Sequence, residues 1–340
     1  MRTILRASLI ALLAGSAGGA FADTTMDAET VLKTTLAGPT VPYAGEITIT
    51  HWAGRAAHAE EARVYVGSPD RYRYEFLTPT GDVSRVVVGT GGFEYVLIPE
   101  HGKVLHGLSA HGINSRPSPA ITFALLSSNY HISSPEPDEV AGRKVFVVEL
   151  TPLAEGKPRE RLWLDPQTGV VLALRRFGTK TPDAAALRFI RFEPNAEFEE
   201  DFFDVDLSTE NVVKDHGLRD TNRPLEDLNR DGGPFPDSLP FGFVYSGGRR
   251  FQVQGETVTQ LTYTDGLTVV SVFETARPVQ REDPSEERFS FSDGGGPPLS
   301  LHSPIRIVHG KRGGSYFTVM GDSNEALLNA LWQEWPNPPK

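Results

Sequence analysis

Oxygen ligands are the first chemistry the sequence offers. Asp227, Asn229 and Asp231, followed by Gly232, match positions 1, 3, 5 and 6 of an EF-hand loop. Position 12, where a bidentate Glu belongs, is Ser238, and Pro224, Pro234 and Pro236 deny the stretch normal flanking helices. The reading is an Asp/Asn/Gly-rich linker that imitates the pattern, with calcium as its alternative. His101, His106 and His111 recur every fifth residue, which scatters them over both faces of a strand, and the chain has no H-E-x-x-H. Gly107-Leu108-Ser109-Ala110-His111 lacks the last glycine of a nucleophile elbow, and Gly310 to Ser315 has the composition of a phosphate loop without its order. Glu199, Glu200 and Asp201 sit in a run that reads as a solvated face. No nucleophile–base pairing emerges, no cofactor is called for, and the chain is expected not to be an enzyme.

The elements that must position any site come next. Residues 1–22 have a basic start (MRTILR), a short apolar core and an Ala20-Phe21-Ala22 cleavage site, so they read as an export signal with the mature chain starting at Asp23. No second apolar run is long enough to cross a bilayer. Cysteine is absent, which excludes disulfides, thiolate nucleophiles and the lipidated cysteine of a bacterial lipoprotein. The expected location is the periplasm, without an acyl anchor. The net charge of −11 disfavours nucleic acid and anionic membrane surfaces as general partners.

The chain divides by composition. Residues 23–214 open with a helical stripe (Val31, Leu32, Leu36) and continue as about ten short alternating strands, which points to an antiparallel meander, sandwich or barrel. An apolar segment over 117–130, opened by prolines, reads as an inserted plug helix. The run 197–207 reads as an acidic helical turn. Residues 215–238 form a Pro/Gly/Asp/Asn-rich linker, and 239–340 a smaller α+β domain with a mobile loop near 278–300. Its closing helix is expected to be capped reciprocally by Asp322 and Glu325 and to bury Leu327, Leu331 and Trp335. The fold class is therefore α+β, mainly β.

Within the second domain, LTYTDGLTVVSVFE (261–274) carries a hairpin signal at Asp265-Gly266. A two-residue turn places Leu261, Tyr263, Val270 and Val272 on one apolar face. The other face carries Leu267, Val269 and Phe273, which predicts a domain interface or a partner surface. In the first domain, Tyr72, Tyr74 and Phe76 alternate on one side of a strand, with Tyr95 and Trp163 in neighbouring runs. They are either core beneath the plug or the lining of a groove left open for acyl chains or an apolar peptide.

Two stretches resemble known families. Residues 162–176, LWLDPQTGVVLALRR, are similar to the W-x-D-x-x-T-G hairpin of the LolA/LolB-like periplasmic fold. Residues 261–273 resemble the Y-S-D-G-L-x-x-x-S-V segment of the RseB/MucB family, and Tyr316 to Gly321 with the terminal helix resembles that family's close. The resemblance implies a LolA-like half-open antiparallel β-barrel with plug helices, joined to a smaller domain. It implies a periplasmic regulator of envelope stress that binds the periplasmic region of a membrane-bound anti-sigma factor, restrains its proteolysis, and responds to lipid or lipopolysaccharide. The family's basic segment survives here only as Arg249-Arg250 and Lys311-Arg312, so Arg249 and Arg250 join the partner-surface residues. A lipid or lipoprotein carrier of the LolA/LolB type is the alternative, and a homo-oligomer is left open.

Overall fold

Strand after strand in this chain alternates one wet and one dry residue, and the computed structural model joins them into two sheets, the second antiparallel throughout and the first antiparallel but for one edge pairing. It describes residues 26–335 apart from 54–55, 69, 91–92, 109–116, 179–184, 206–210, 215–223, 233–234, 254 and 278–305. The export signal and the loop expected near 278–300 lie outside the described residues.

The first unit begins with α1 (Ala28–Leu36), then β1 (Tyr43–Ala53), β2 (Ala56–Ser68), β3 (Arg71–Leu77), β4 (Val83–Thr90), β5 (Phe93–Ile98) and β6 (Lys103–Leu108). It continues through α2 (Pro119–Asn129), β7 (Tyr130–Ile132), β8 (Glu136–Val140), β9 (Arg143–Pro152), β10 (Arg159–Leu164), β11 (Val171–Phe177), β12 (Ala185–Pro194) and β13 (Asn211–Lys214). Thirteen strands, rather than about ten, form one sheet in the order β13-β6-β5-β4-β3-β2-β1-β12-β11-β10-β9-β7, with β8 on the same edge of β9 as β7. Among the described residues its two ends do not pair with one another, so the sheet is a half-open barrel.

Local chemistry places the helices. Asp27 caps α1, its Oδ1 accepting from the Thr30 amide at 2.8 Å, and Val31 and Leu32 enter the core. Ser118 caps α2 and Pro119 fills its first position, where a missing N–H costs nothing. The W-x-D-x-x-T-G stretch makes the β10–β11 turn. Buried Asp165 accepts from the Gln167 amide (2.9 Å), the Thr168 hydroxyl (2.8 Å) and Arg143 (2.7 Å).

The second unit contains α3 (Leu225–Gly232), β14 (Ser238–Leu239), β15 (Phe243–Val253), β16 (Glu256–Thr264), β17 (Val269–Thr275), β18 (Arg306–Arg312), β19 (Ser315–Gly321) and α4 (Glu325–Gln333). Its six strands run β14-β15-β16-β17-β19-β18. Leu261, Tyr263, Val270 and Val272 are fully buried in one cluster with Leu327, Leu328, Leu331 and Trp335 of the terminal helix region. Residues expected to be linker contribute to this core: Leu228 on α3 and Phe235 are buried in it. Of the run 197–207, expected as a helical turn, the described part, 197–205, makes successive turns instead, closed by Phe202 N–H to the Glu199 carbonyl and Asp204 N–H to the Asp201 carbonyl.

Two local expectations are corrected. The hairpin pairs Thr264 with Val269 and Leu261 with Val272, so its loop holds four residues, not two. A type I′ turn needs positive φ at both central residues, and of Asp265 and Gly266 only Gly266 has it (φ 101°). The Asp265 carboxylate instead accepts from the Leu267 and Thr268 amides at 3.0 and 2.7 Å, forming an Asx turn. The slip is by two residues, so every side chain still in a strand keeps its expected face, while Leu267 and Thr268 pass into the loop. The cap of α4 is Asn324, whose Oδ1 accepts from the Leu327 amide at 2.8 Å. Asp322 is drawn away to Arg176 of the first sheet.

Candidate functional site

Each groove residue is placed by strand parity. Tyr72 and Tyr74 are buried in the main core with Tyr43, Val64 and Val87, and Phe76 packs half-buried at its margin. Tyr72 crosses Gly89, where a Cβ would stand 2.2 Å from the ring, and its hydroxyl donates to buried Glu94 at 2.7 Å. Burial raises the Glu94 carboxyl to about 7. Tyr95 points the other way. It pairs with Val88 and packs on the outer face with Val86, Leu97 and Phe203, so the structure does not bring it to the same lining as Tyr72. Trp163 alternates with buried Leu162 and Leu164 along β10 and packs half-buried against the main core cluster. Its Nε1 donates to Asp138 Oδ2 at 2.8 Å, a bond that holds the Asp138 carboxyl below its ordinary range. A hollow of about 260 Å³ also belongs to the outer side, between Pro42, Gly67, Arg71, Phe198 and Phe203.

The calcium-like triplet falls on or beside α3, not at the head of a loop. Asn229 is occupied in accepting from the Phe235 amide at 2.5 Å, and Asp227 pairs with Arg230 at 3.2 Å. Among the described residues no group of three or more His, Asp or Glu side chains is placed to hold a metal ion. Arg250 serves the fold, reaching Thr259 Oγ1 (3.1 Å) and the Leu228 carbonyl (3.4 Å). Arg249 donates to Gln260 at 2.7 Å and lies over Phe251. Val269 is exposed and Phe273 half-exposed on the face of the second sheet away from α4, whereas Leu267 packs against the core of the first sheet.

Leu267 marks the edge of a polar joint between the two sheets. The β16–β17 turn sits on α2: a Cβ on Gly266 would stand 2.9 Å from the Leu126 backbone nitrogen and 3.0 Å from the Leu125 Cβ. Asp265 and Lys157 pair at 2.6 Å, both wholly inaccessible to water. Tyr130 donates its hydroxyl to Asp265 Oδ2 at 2.8 Å. Lys157 also donates to the Phe241 carbonyl (2.6 Å), and Asn129 reaches the Asp265 and Gly242 carbonyls (3.2 and 3.3 Å). Phe241 is held in the left-handed region (φ 64°), a strained position for a non-glycine. Beside this, Arg176 bonds Glu160 in its own sheet and Asp322 in the other, all three buried. The Asn324 amide donates to the Gly156 carbonyl at 2.8 Å.

Electrostatics follow from this seclusion. Burial, then the Asp265 charge, raises the Tyr130 hydroxyl well above a free phenol. Burial raises the Glu160 carboxyl, with Arg176 pulling the other way. Burial opposes the Arg176 charge, and Glu160 and Asp322 more than offset it. The sequence carried a signal for this joint. Glu160 shares the dry parity of Leu162 and Leu164, and Arg176 that of Leu172 and Leu174.

The half-open sheet with a helix-capped second sheet defines a two-unit α+β architecture. No protein-family model and no curated protein matches the sequence. Solved structures match the fold along nearly its whole length. The chain is similar to one in the complex structure of Pseudomonas aeruginosa MucA/MucB, with a TM-score of 0.59 at 18% identity over 92% of this chain and 99% of that one. It is similar to MucB in complex with MucA(peri) (TM-score 0.54, 18% identity, 92% and 99% covered). MucB alone gives a TM-score of 0.52 at 17% identity, with 91% and 97% covered. The chain has the MucB fold.

Proposed function

We propose that this chain is a periplasmic regulatory binding protein that binds the periplasmic region of a membrane-bound anti-sigma factor and restrains its proteolysis. The observation that carries this reading is the span of the structural match: it covers 92% of this chain and 99% of a chain of the MucA/MucB complex, more than the first sheet alone could supply. A carrier that works by its groove alone has no use for a second sheet fixed to the first by buried charges. A lipid or lipopolysaccharide head and tail is the proposed signal. α2 supports that part, because its apolar residues are not confined to one side: Leu126 is buried while Ile121 is exposed.

The outer-face position of Tyr95 narrows the proposed groove lining to Tyr72, Tyr74, Phe76, Trp163 and the α2 side chains. Leu267 is assigned to the domain joint, while Val269, Phe273 and Arg249 remain the proposed partner-facing residues. Affinity purification from the envelope of the source cell tests the reading. Recovery of one single-pass membrane protein is expected; repeated recovery of lipoproteins with bound acyl chains alone would replace regulator by carrier.

A further inference from the structure

The charges of the joint do not balance. Among the described residues its buried acids and bases, apart from the Tyr130 phenol that stays neutral, are two cations, Lys157 and Arg176, and three carboxylates, Asp265, Glu160 and Asp322. Fully ionised, the set carries one negative charge in excess where water is excluded, and an isolated buried charge is costly. Lys157 is committed to Asp265. Arg176 is shared by the other two carboxylates. Glu160 Oε2 is buried with no hydrogen-bond partner among the described residues, while Oε1 takes the Arg176 bond.

From this geometry we infer that the joint is a proton-coupled latch: docking the second sheet, which brings Asp322 onto Arg176, places a proton on Glu160, and undocking releases it. The groups facing Glu160 agree. From the second sheet come Asp322 and, farther off, Asp265, itself paired with Lys157; from its own sheet comes Arg176 on β11, which Tyr130 on β7 faces in turn. Arg306 reaches the Ser323 carbonyl at 3.4 Å from the half-exposed rim, where water screens it. Without Asp322, Arg176 and Glu160 neutralise each other and no proton is needed.

The sign follows from linkage. A carboxyl raised in the docked state stabilises docking fully below the ordinary carboxylate range, and that contribution is lost as pH rises through the docked-state value. Acid tightens the joint. The inference stands apart from the regulatory reading, since it needs neither a partner nor a lipid.

Amide exchange at Asn324, whose N–H bonds Gly156 across the joint, reports docking in the intact chain. After correction for intrinsic exchange, protection should fall by up to tenfold per pH unit as pH climbs above the ordinary carboxylate range, then level off. Glu160→Gln should flatten the profile, and so should Asp322→Asn, which balances the charges from the other side. If only one variant folds, that one decides. A flat wild-type profile, or an unchanged slope in whichever variant folds, would overturn the inference.

Discussion

Leu172 and Asp265 are equally hidden from water, yet different forces hold them. Leu172 sits among Leu174, Leu164 and Val148 in an interior that gains from area removed from water, with no preferred direction. Asp265 is fixed by Lys157 and Tyr130 at hydrogen-bond distance and by two amides of its own turn. An apolar interior tolerates repacking, whereas a buried charge tolerates only its partner. The two sheets are therefore each stabilised by bulk contact and oriented against one another by a few directed bonds.

That contrast can be broken at its strongest point. Lys157→Met removes the cation and strands Asp265, and should cost about 3–5 kcal/mol in denaturant unfolding. Adding Asp265→Asn in the same chain should restore much of the loss, because no uncompensated charge remains. A single-variant cost under ~1 kcal/mol would mean that the joint is wet. Leu172→Ala should cost about 3 kcal/mol through lost transfer energy and a cavity, and a distant second substitution should not repair it.

Glu94 sharpens the comparison from inside the apolar region. Its raised carboxyl contributes stability that is fully present below pH 4.5 and lost as pH rises through about 7. The loss across that window is about 3 kcal/mol at most. Glu94→Gln should level the stability–pH curve between these limits; an unchanged curve would place the titration elsewhere. Trp163→Ala should have the smallest effect, about 1 kcal/mol, because the ring is half-exposed and its bond to Asp138 is open to solvent. A loss above ~3 kcal/mol by thermal or chemical melting would return Trp163 to the core.

Much of the fold was legible because parity survives error. The hairpin at 261–274 was expected with a turn two residues too short, yet its buried set of Leu261, Tyr263, Val270 and Val272 is the one observed. The plug helix and the terminal helix were visible from Ser118-Pro119 and from the Leu327, Leu331 and Trp335 stripe. The strand count and α3 were not, since a short helix in a Pro/Asp/Asn-rich stretch carries little apolar periodicity beyond Leu228. Tyr95 shares the face of Val88, a parity that aromatic type alone does not reveal.

The joint was hidden for a different reason. Lys157 and Asp265 are 0% exposed and meet across the two sheets, a contact no local pattern announces. Asp322 misled in the opposite sense: three residues before Glu325 it has the spacing of a helix cap, and only the tertiary position of Arg176 diverts it. Inward-facing Glu160 and Arg176 were the readable half of the network, because a charge on the dry parity of a strand requires a buried partner.

Protease protection tests the central claim most directly. The periplasmic segment of the anti-sigma factor from the same cell would be exposed to its site-cleaving protease with the whole chain present, before and after lipid vesicles bearing lipopolysaccharide are added. Cleavage should slow at least tenfold with the chain, and the slowing should vanish as lipid is titrated in. Cleavage at an unchanged rate, with the chain folded and the segment intact, would contradict the account.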